Sequence, residues 1–343
     1  MIYKGVELYN VRDLVDQGPS GAVALSRVPA AVRARLNPMA QGAALAGCGV
    51  EIRFNLDGPS ATVTLQRLCG DDVSPVGIAE VYHGAFQSTY GMSPRPIGPE
   101  PTRITVLPLA ELALLDNLTA RHDAPFDPQL VRIILPYDAP TMLWDVAGDV
   151  SPPRIEQAPR AQYVAYGSSI THGSSAVGPT ETYAMRVARL LRMDLINLGF
   201  AGSAHLDDAM AAHIADDLSW DIASLELGIN VIDRWSLVRF AEGVRDFVGR
   251  IAAAHPDKWV FCTDIVTTAG DFRGDDKNRA FRAVVRREVA ALGLSKVVYC
   301  SGRDLLVSPT GLTADGVHPS VAGMGEIAIN LHRHMRESGA TAR

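Results

Sequence analysis

A three-layer α/β/α parallel sheet over the second half of the chain, preceded by an antiparallel β-sandwich, is the fold class this sequence predicts. Three observations predict it. Apolar residues recur with period two over roughly residues 20–150, strand-like runs alternate with amphipathic helical stripes from about 160 onward, and a proline-rich break separates the two rhythms. We therefore expect a sandwich over residues 1–150, a linker over 151–160 and a parallel-sheet domain over 161–338.

In the first part, Val50, Ile52, Phe54 and Leu56 alternate with Glu51, Arg53, Asn55 and Asp57 up to Gly58-Pro59. Beyond that dipeptide Ala61, Val63 and Leu65 alternate with Thr62, Thr64 and Gln66. The two runs predict a hairpin across a short connection. Further short strands are expected at 78–82, 102–107, 131–135 and 141–146, with a helical piece around 32–36. Short strands parted by Pro- and Gly-containing turns are the pattern of a sandwich. Tyr82, His83, Phe86 and Trp144 would give it an aromatic surface for a sugar ring, and core positions account for them equally well. Pro152, Pro153 and Pro159 each fix φ and remove a backbone donor, which places the linker.

After the linker, apolar strands are expected at 163–166, 195–198, 222–227, 259–265 and 297–300. Between them lie helical stripes: Tyr183, Val187, Leu190 and Leu191; Leu237, Phe240, Val244, Phe247 and Ile251; Phe281, Val284, Val285, Val289 and Leu292. Val321, Met324, Ala328 and Leu331 form the last stripe. Parallel strands joined by right-handed helical crossovers put their functional loops along one edge of the sheet.

Composition narrows the function classes. A formal charge of −6 with scattered basic residues favours neither nucleic acid nor an anionic membrane as partner. No run approaches the ~20 apolar residues of a membrane span, and the first residues lack the apolar core of a signal peptide, so a cytoplasmic protein is expected. Cys48, Cys69, Cys262 and Cys300 match no metal spacing and are expected as reduced thiols, and the His332-Arg333-His334 pair lacks zinc-site partners. No metal and no cofactor are expected.

Two short motifs carry chemistry. Gly167-Ser168-Ser169 ends an apolar strand, and Ser169 is the candidate nucleophile; Asp315-Gly316-Val317-His318-Pro319 offers an imidazole and a carboxylate in one turn. A serine hydroxyl needs the first to take its proton and the second to set the imidazole tautomer. Pro319 suits the first turn of the closing helix. Gly202 and Asn230 follow the second and third strands, where a backbone and a side-chain amide would join the Ser169 amide as oxyanion donors. Read one at a time, each is also an ordinary turn residue.

In their order, Gly167-Ser168-Ser169, Gly202, Gly228-Ile229-Asn230 and Asp315-x-x-His318 resemble the four blocks of the SGNH hydrolase family, the GDSL-type esterases and lipases, over about residues 160–335. The resemblance implies a flavodoxin-like sheet, Ser169, Asp315 and His318 as catalytic residues, and Ser169, Gly202 and Asn230 as the oxyanion hole. Two positions depart from the family pattern. Ser168 stands where an Asp is usual and Val231 where an Asp often follows the asparagine, so altered local hydrogen bonding is expected. Thr171, in place of a glycine, argues against the strained elbow of α/β-hydrolases. A preceding jelly-roll-like sandwich is similar to the arrangement in some carbohydrate esterases and acyltransferases.

The expected function is hydrolysis of a small, acetyl-like ester of a carbohydrate or another hydroxylated small molecule. Acyl transfer to a specific alcohol, by the same residues, is one alternative; a non-catalytic glycan-binding protein is another. His172, Arg234, Trp235, Asp264 and Arg273 are candidates for shaping the pocket, and the stretch 266–276 is a candidate lid.

Overall fold

The computed structural model describes all residues except 20, 69–73, 75, 275 and 341–343, so Cys69 lies outside the described residues. Five parallel strands form the second sheet in the spatial order Asp194–Gly199, Gln162–Gly167, Ile222–Glu226, Trp259–Thr263, Val297–Cys300. Sequence order therefore reverses at Gln162–Gly167, and the crevice beyond the carboxyl end of that strand is where such sheets place their chemistry. Helices Leu237–Ala254 and Lys277–Ala291 cover one face through Phe240, Val244, Phe247, Ile251, Phe281 and Val285. Helices Tyr183–Leu191 and Val321–Glu337 cover the other through Val187, Leu191, Met324 and Leu331. Leu190, expected in the buried stripe, is 44 % exposed, because the buried face is centred on Ala184, Val187, Ala188 and Leu191 and Leu190 lies to one side of it in the last turn. Among the described residues no helix is long and apolar enough to cross a membrane.

Among the described residues the N-terminal half is an antiparallel sheet of eleven strands, its main apolar core formed by Val6, Ile52, Phe54, Val63, Ile104, Val131 and Leu143, among others. The expected hairpin at Gly58-Pro59 does not form. Glu51–Arg67 is a single strand, with residues 51–55 lying between Val6–Tyr9 and Leu130–Ile134 and residues 61–65 between Thr102–Val106 and Thr141–Ser151. Pairing jumps from Leu56↔Val150 to Ala61↔Gly148, so residues 57–60 bulge opposite Asp149. A two-residue hairpin needs positive φ at its first central position, which Gly58 does not adopt and Pro59 cannot. The helical piece near 32–36 is two short helices, Ala30–Arg33 and Pro38–Ala43. Tyr82 and His83 are buried and Trp144 donates its indole N–H to Gln66 at 2.7 Å, so the four aromatic candidates form no shared exposed platform.

The halves are joined by buried charge. Arg53 binds Asp194, on the edge strand of the parallel sheet, with two hydrogen bonds of 2.7 Å, and also binds Glu51, which takes two more from Arg132. Arg53 stacks on Tyr9 and Arg132 on Phe126, each at 3.6 Å. Arg27, fully buried, donates to the carbonyls of Ala43 and Ala46 on its own side and of Asn197 across the junction. The proline-rich segment is part of this junction, since Gln157 is buried and exchanges hydrogen bonds with Asn55.

Candidate active site

Ser169 begins the short helix Ser169–His172 directly beyond the first parallel strand. Ser168 caps it, its hydroxyl accepting from the Ile170 amide at 3.1 Å. The Ser169 hydroxyl lies 2.8 Å from His318 Nε2, and His318 Nδ1 lies 2.6 Å from Asp315 Oδ2. The other Asp315 oxygen accepts from the amides of Val317 and His318 and from the Thr313 hydroxyl. Burial alone would raise the Asp315 pKa, but these donors, led by the His318 ring, outweigh it and hold the carboxyl well below its usual range. Gly316, at φ +71°, lets the turn close against Ala269, which a side chain there would strike at 2.6 Å. Pro319 was expected in the first turn of the closing helix but instead precedes its cap. Ser320 accepts from the Gly323 amide and the helix starts at Val321, because Pro319 bridges to Leu312 instead.

The structure supplies a carboxylate that sequence reasoning missed. Glu226, at the end of the third parallel strand, accepts from the Ser168 amide at 2.7 Å, the Ser168 hydroxyl at 2.6 Å and the Thr171 hydroxyl at 3.1 Å. Burial raises its pKa, with the Ser168 and Thr171 donors acting against that. The signal was present as one acidic residue ending an otherwise uncharged, buried strand, Ile222–Glu226. Gly167 is required by this contact, since a side chain there would meet Glu226 at 2.6 Å. Val231, at the second departure from the family pattern, is fully buried in the core.

Asn230 and the Gly202 loop are coupled. Asn230 Oδ1 accepts from the Ala204 amide at 3.0 Å, which leaves the Nδ2 end as the donor facing away from that bond. Gly202 has φ +66°, and Met39 of the N-terminal half reaches within 3.2 Å of where its side chain would be. The pocket candidates divide. His172 is buried with Nδ1 at 3.1 Å from the Gly199 carbonyl, and burial lowers its pKa to about 4. Asp264 is buried, accepts from Tyr299 and the Gly302 amide, and has its pKa raised by burial to about 6. Both are thus structural rather than pocket-lining. Arg234 and Arg273 are exposed; Trp235 is half-buried under Arg239, 4.2 Å from the guanidinium, and lies near His205. A cavity of ≈ 180 Å³ between the halves, walled by Tyr82, Phe126, Arg132, Ile134, Met185 and Asp194, is lined by none of Ser169, His318 and Asp315. Among the described residues no three His, Cys, Asp or Glu side chains gather as a metal site.

Residues 165–325 match the profile of the GDSL-like Lipase/Acylhydrolase family. The parallel-sheet half is a GDSL-like lipase/acylhydrolase domain. That makes the chain an enzyme of the SGNH ester-hydrolase type. Among solved structures, the chain resembles the salicylyl-acyltransferase SsfX3 from a tetracycline biosynthetic pathway, with 22% identity and a TM-score of 0.78 over 98% of this chain and 95% of that one. A protein from Bacteroides ovatus described as a GDSL-like lipase gives 17% identity and 0.68, over 97% of each chain. A family two carbohydrate esterase from Clostridium thermocellum gives 14% and 0.60, over 85% of this chain and 92% of that one. At these identities the likeness concerns the fold, including the β-rich half before the GDSL-like domain. Among curated proteins none matches the sequence.

Proposed function

We propose that the chain is a serine esterase that releases a small acyl group from a hydroxylated small molecule through an acyl-enzyme on Ser169. The observation that carries this reading is the continuous hydrogen-bonded chain Ser169–His318–Asp315. With Asp315 ionised, His318 keeps its proton on Nδ1 and presents Nε2 as acceptor to the Ser169 hydroxyl. As Ser169 Oγ bonds the acyl carbon, its proton passes to Nε2. Collapse of the tetrahedral intermediate breaks the ester C–O bond and returns that proton to the leaving alcohol, and water then repeats the sequence to free the acid. The amides of Ser169 and Gly202 and the Asn230 side chain would stabilise the oxyanion, each donor of this type contributing roughly 2.7–4 kcal/mol. In this reading residues 161–338 are the catalytic domain, 1–150 the accessory sandwich and 151–160 the connection.

The test is mass spectrometry after exposure to a fluorophosphonate, with turnover of 4-nitrophenyl acetate alongside. A single adduct on Ser169 and loss of both labelling and turnover in Ser169→Ala are expected; labelling elsewhere, or activity surviving in Ser169→Ala, refutes the assignment. Acyl transfer to an alcohol is the second reading, favoured by the likeness to the salicylyl-acyltransferase over nearly the whole chain. The acceptor depends on what reaches the acyl-enzyme, so product ratios with water and candidate alcohols in competition separate the two.

A further inference from the structure

We infer that Asn37, in the N-terminal half, is a positioning residue for the oxyanion donors of the GDSL-like domain. The inference rests on the acyl-enzyme reading above, in which Gly202 and Asn230 donate to the oxyanion. Both donors depend on the loop Gly202–Asp207. It contains the Gly202 amide itself, and its Ala204 amide sets which way the Asn230 carboxamide faces. Two of its residues, Gly202 and Leu206, have positive φ, and for leucine that conformation is unfavourable without outside support.

Part of the support comes from the same half, through the Tyr166 hydroxyl accepting from the Leu206 amide at 3.1 Å. The rest comes from Asn37. Its Nδ2 donates to the Ser203 carbonyl at 3.0 Å and to Asp207 Oδ2 at 2.7 Å, and its backbone amide donates to Asp207 Oδ1 at 3.1 Å. The loop is thereby gripped on both sides of Ala204. Asn37 is itself held, because its Oδ1 caps the helix Pro38–Ala43 by accepting from the Ala40 amide at 3.1 Å. Arg27 ties the end of that helix to the strand leading into the loop, donating to Ala43 and to Asn197.

Asp207 shows that the contact is built rather than incidental. It occupies the N-cap of the helix Asp208–Ala212, where an aspartate ordinarily bonds its own helix amides, yet it makes no such cap. Both of its oxygens go to Asn37 instead. A local preference has been overridden in favour of a contact across the junction, 170 positions away in sequence.

Two variants test this. Asn37→Ser keeps a capping oxygen for Pro38–Ala43 and removes the Nδ2 donors; Asp207→Ser removes the acceptor and frees residue 207 to cap its own helix. Rates are expressed per site titrated with fluorophosphonate, so loss of folded protein does not enter. We expect kcat to fall about 10- to 100-fold in each, with KM within about twofold, since a displaced donor is felt in the transition state. Affinity for an alkylboronic acid, which forms a tetrahedral adduct on the serine, should fall in parallel. A purely architectural contact would lower Tm and leave both readouts unchanged. Wild-type kcat and boronate affinity in the titrated sites of either variant overturn the inference alone; failure of wild-type Ser169 to label overturns the acyl-enzyme reading and this inference with it.

Discussion

Glu226→Ala removes one carboxylate oxygen that holds three donors, the Ser168 amide, the Ser168 hydroxyl and the Thr171 hydroxyl. The hydroxyls have somewhere else to turn; Thr171 already shares a 2.6 Å hydrogen bond with Tyr183. The amide is fixed by the backbone, and leaving it buried and unpaired costs ~1–3 kcal/mol, with hydrogen bonds to a charged acceptor contributing ~1.5–3 kcal/mol each. Removing a buried charge returns part of that, because burial disfavours the ionised form. The net expectation is a loss of about 2–4 kcal/mol. At ~2.1 cal/mol/K per residue, a chain of 343 residues should melt roughly 3–6 °C lower. Activity should fall further than stability, by about 10-fold or more per titrated site, since the Ser168–Thr171 turn aims the Ser169 hydroxyl at His318. Glu226→Gln has the right size but brings an NH₂ among donors, and should lie between. A Glu226→Ala protein with wild-type Tm and wild-type kcat would refute the reasoning. The same residue predicts a pH effect. Its pKa is raised in the folded chain by burial, so the unfolded chain loses this proton first. The associated stabilisation is complete below the ordinary glutamate pKa and is lost as pH rises through the folded value. Glu226→Gln should flatten that segment of a plot of Tm against pH.

Asp315→Asn should leave KM unchanged and lower kcat by about 10⁴-fold, because an NH₂ facing His318 Nδ1 forces the wrong imidazole tautomer; a kcat within tenfold of wild type (about one decade) would count against the assigned role. Asp194→Asn should destabilise without touching chemistry. It replaces the bidentate carboxylate of Arg53 while Glu51 stays paired with it, at ~1.5–3 kcal/mol, so Tm should drop while kcat per titrated site holds.

The parallel half was legible because its signals are local. A short apolar run ending in glycine and a stripe repeating every 3.6 residues read the same whatever surrounds them, so the five strands stand close to their expected positions. Asp315-x-x-His318 was readable for a similar reason, the contact being made within one turn. The N-terminal half was harder. Gly58-Pro59 has turn composition, yet alternating residues on both sides pair with other strands, and which strands those are is not a local property.

The sequence by itself therefore determined the fold class, the strand ends at which the candidate site lies, and the serine, histidine and aspartate that meet there. Only the tertiary structure decided what supports them. Glu226 stands 58 positions from Ser168 and Asn37 stands 170 from Asp207. An acidic side chain at a strand end or an asparagine before a proline satisfies its hydrogen-bonding capacity with water equally well in an isolated segment. Burial at the crevice removes that water from Ser168 and Glu226, and partial burial at the junction of the halves limits it around Asn37 and Asp207, which favours each partner.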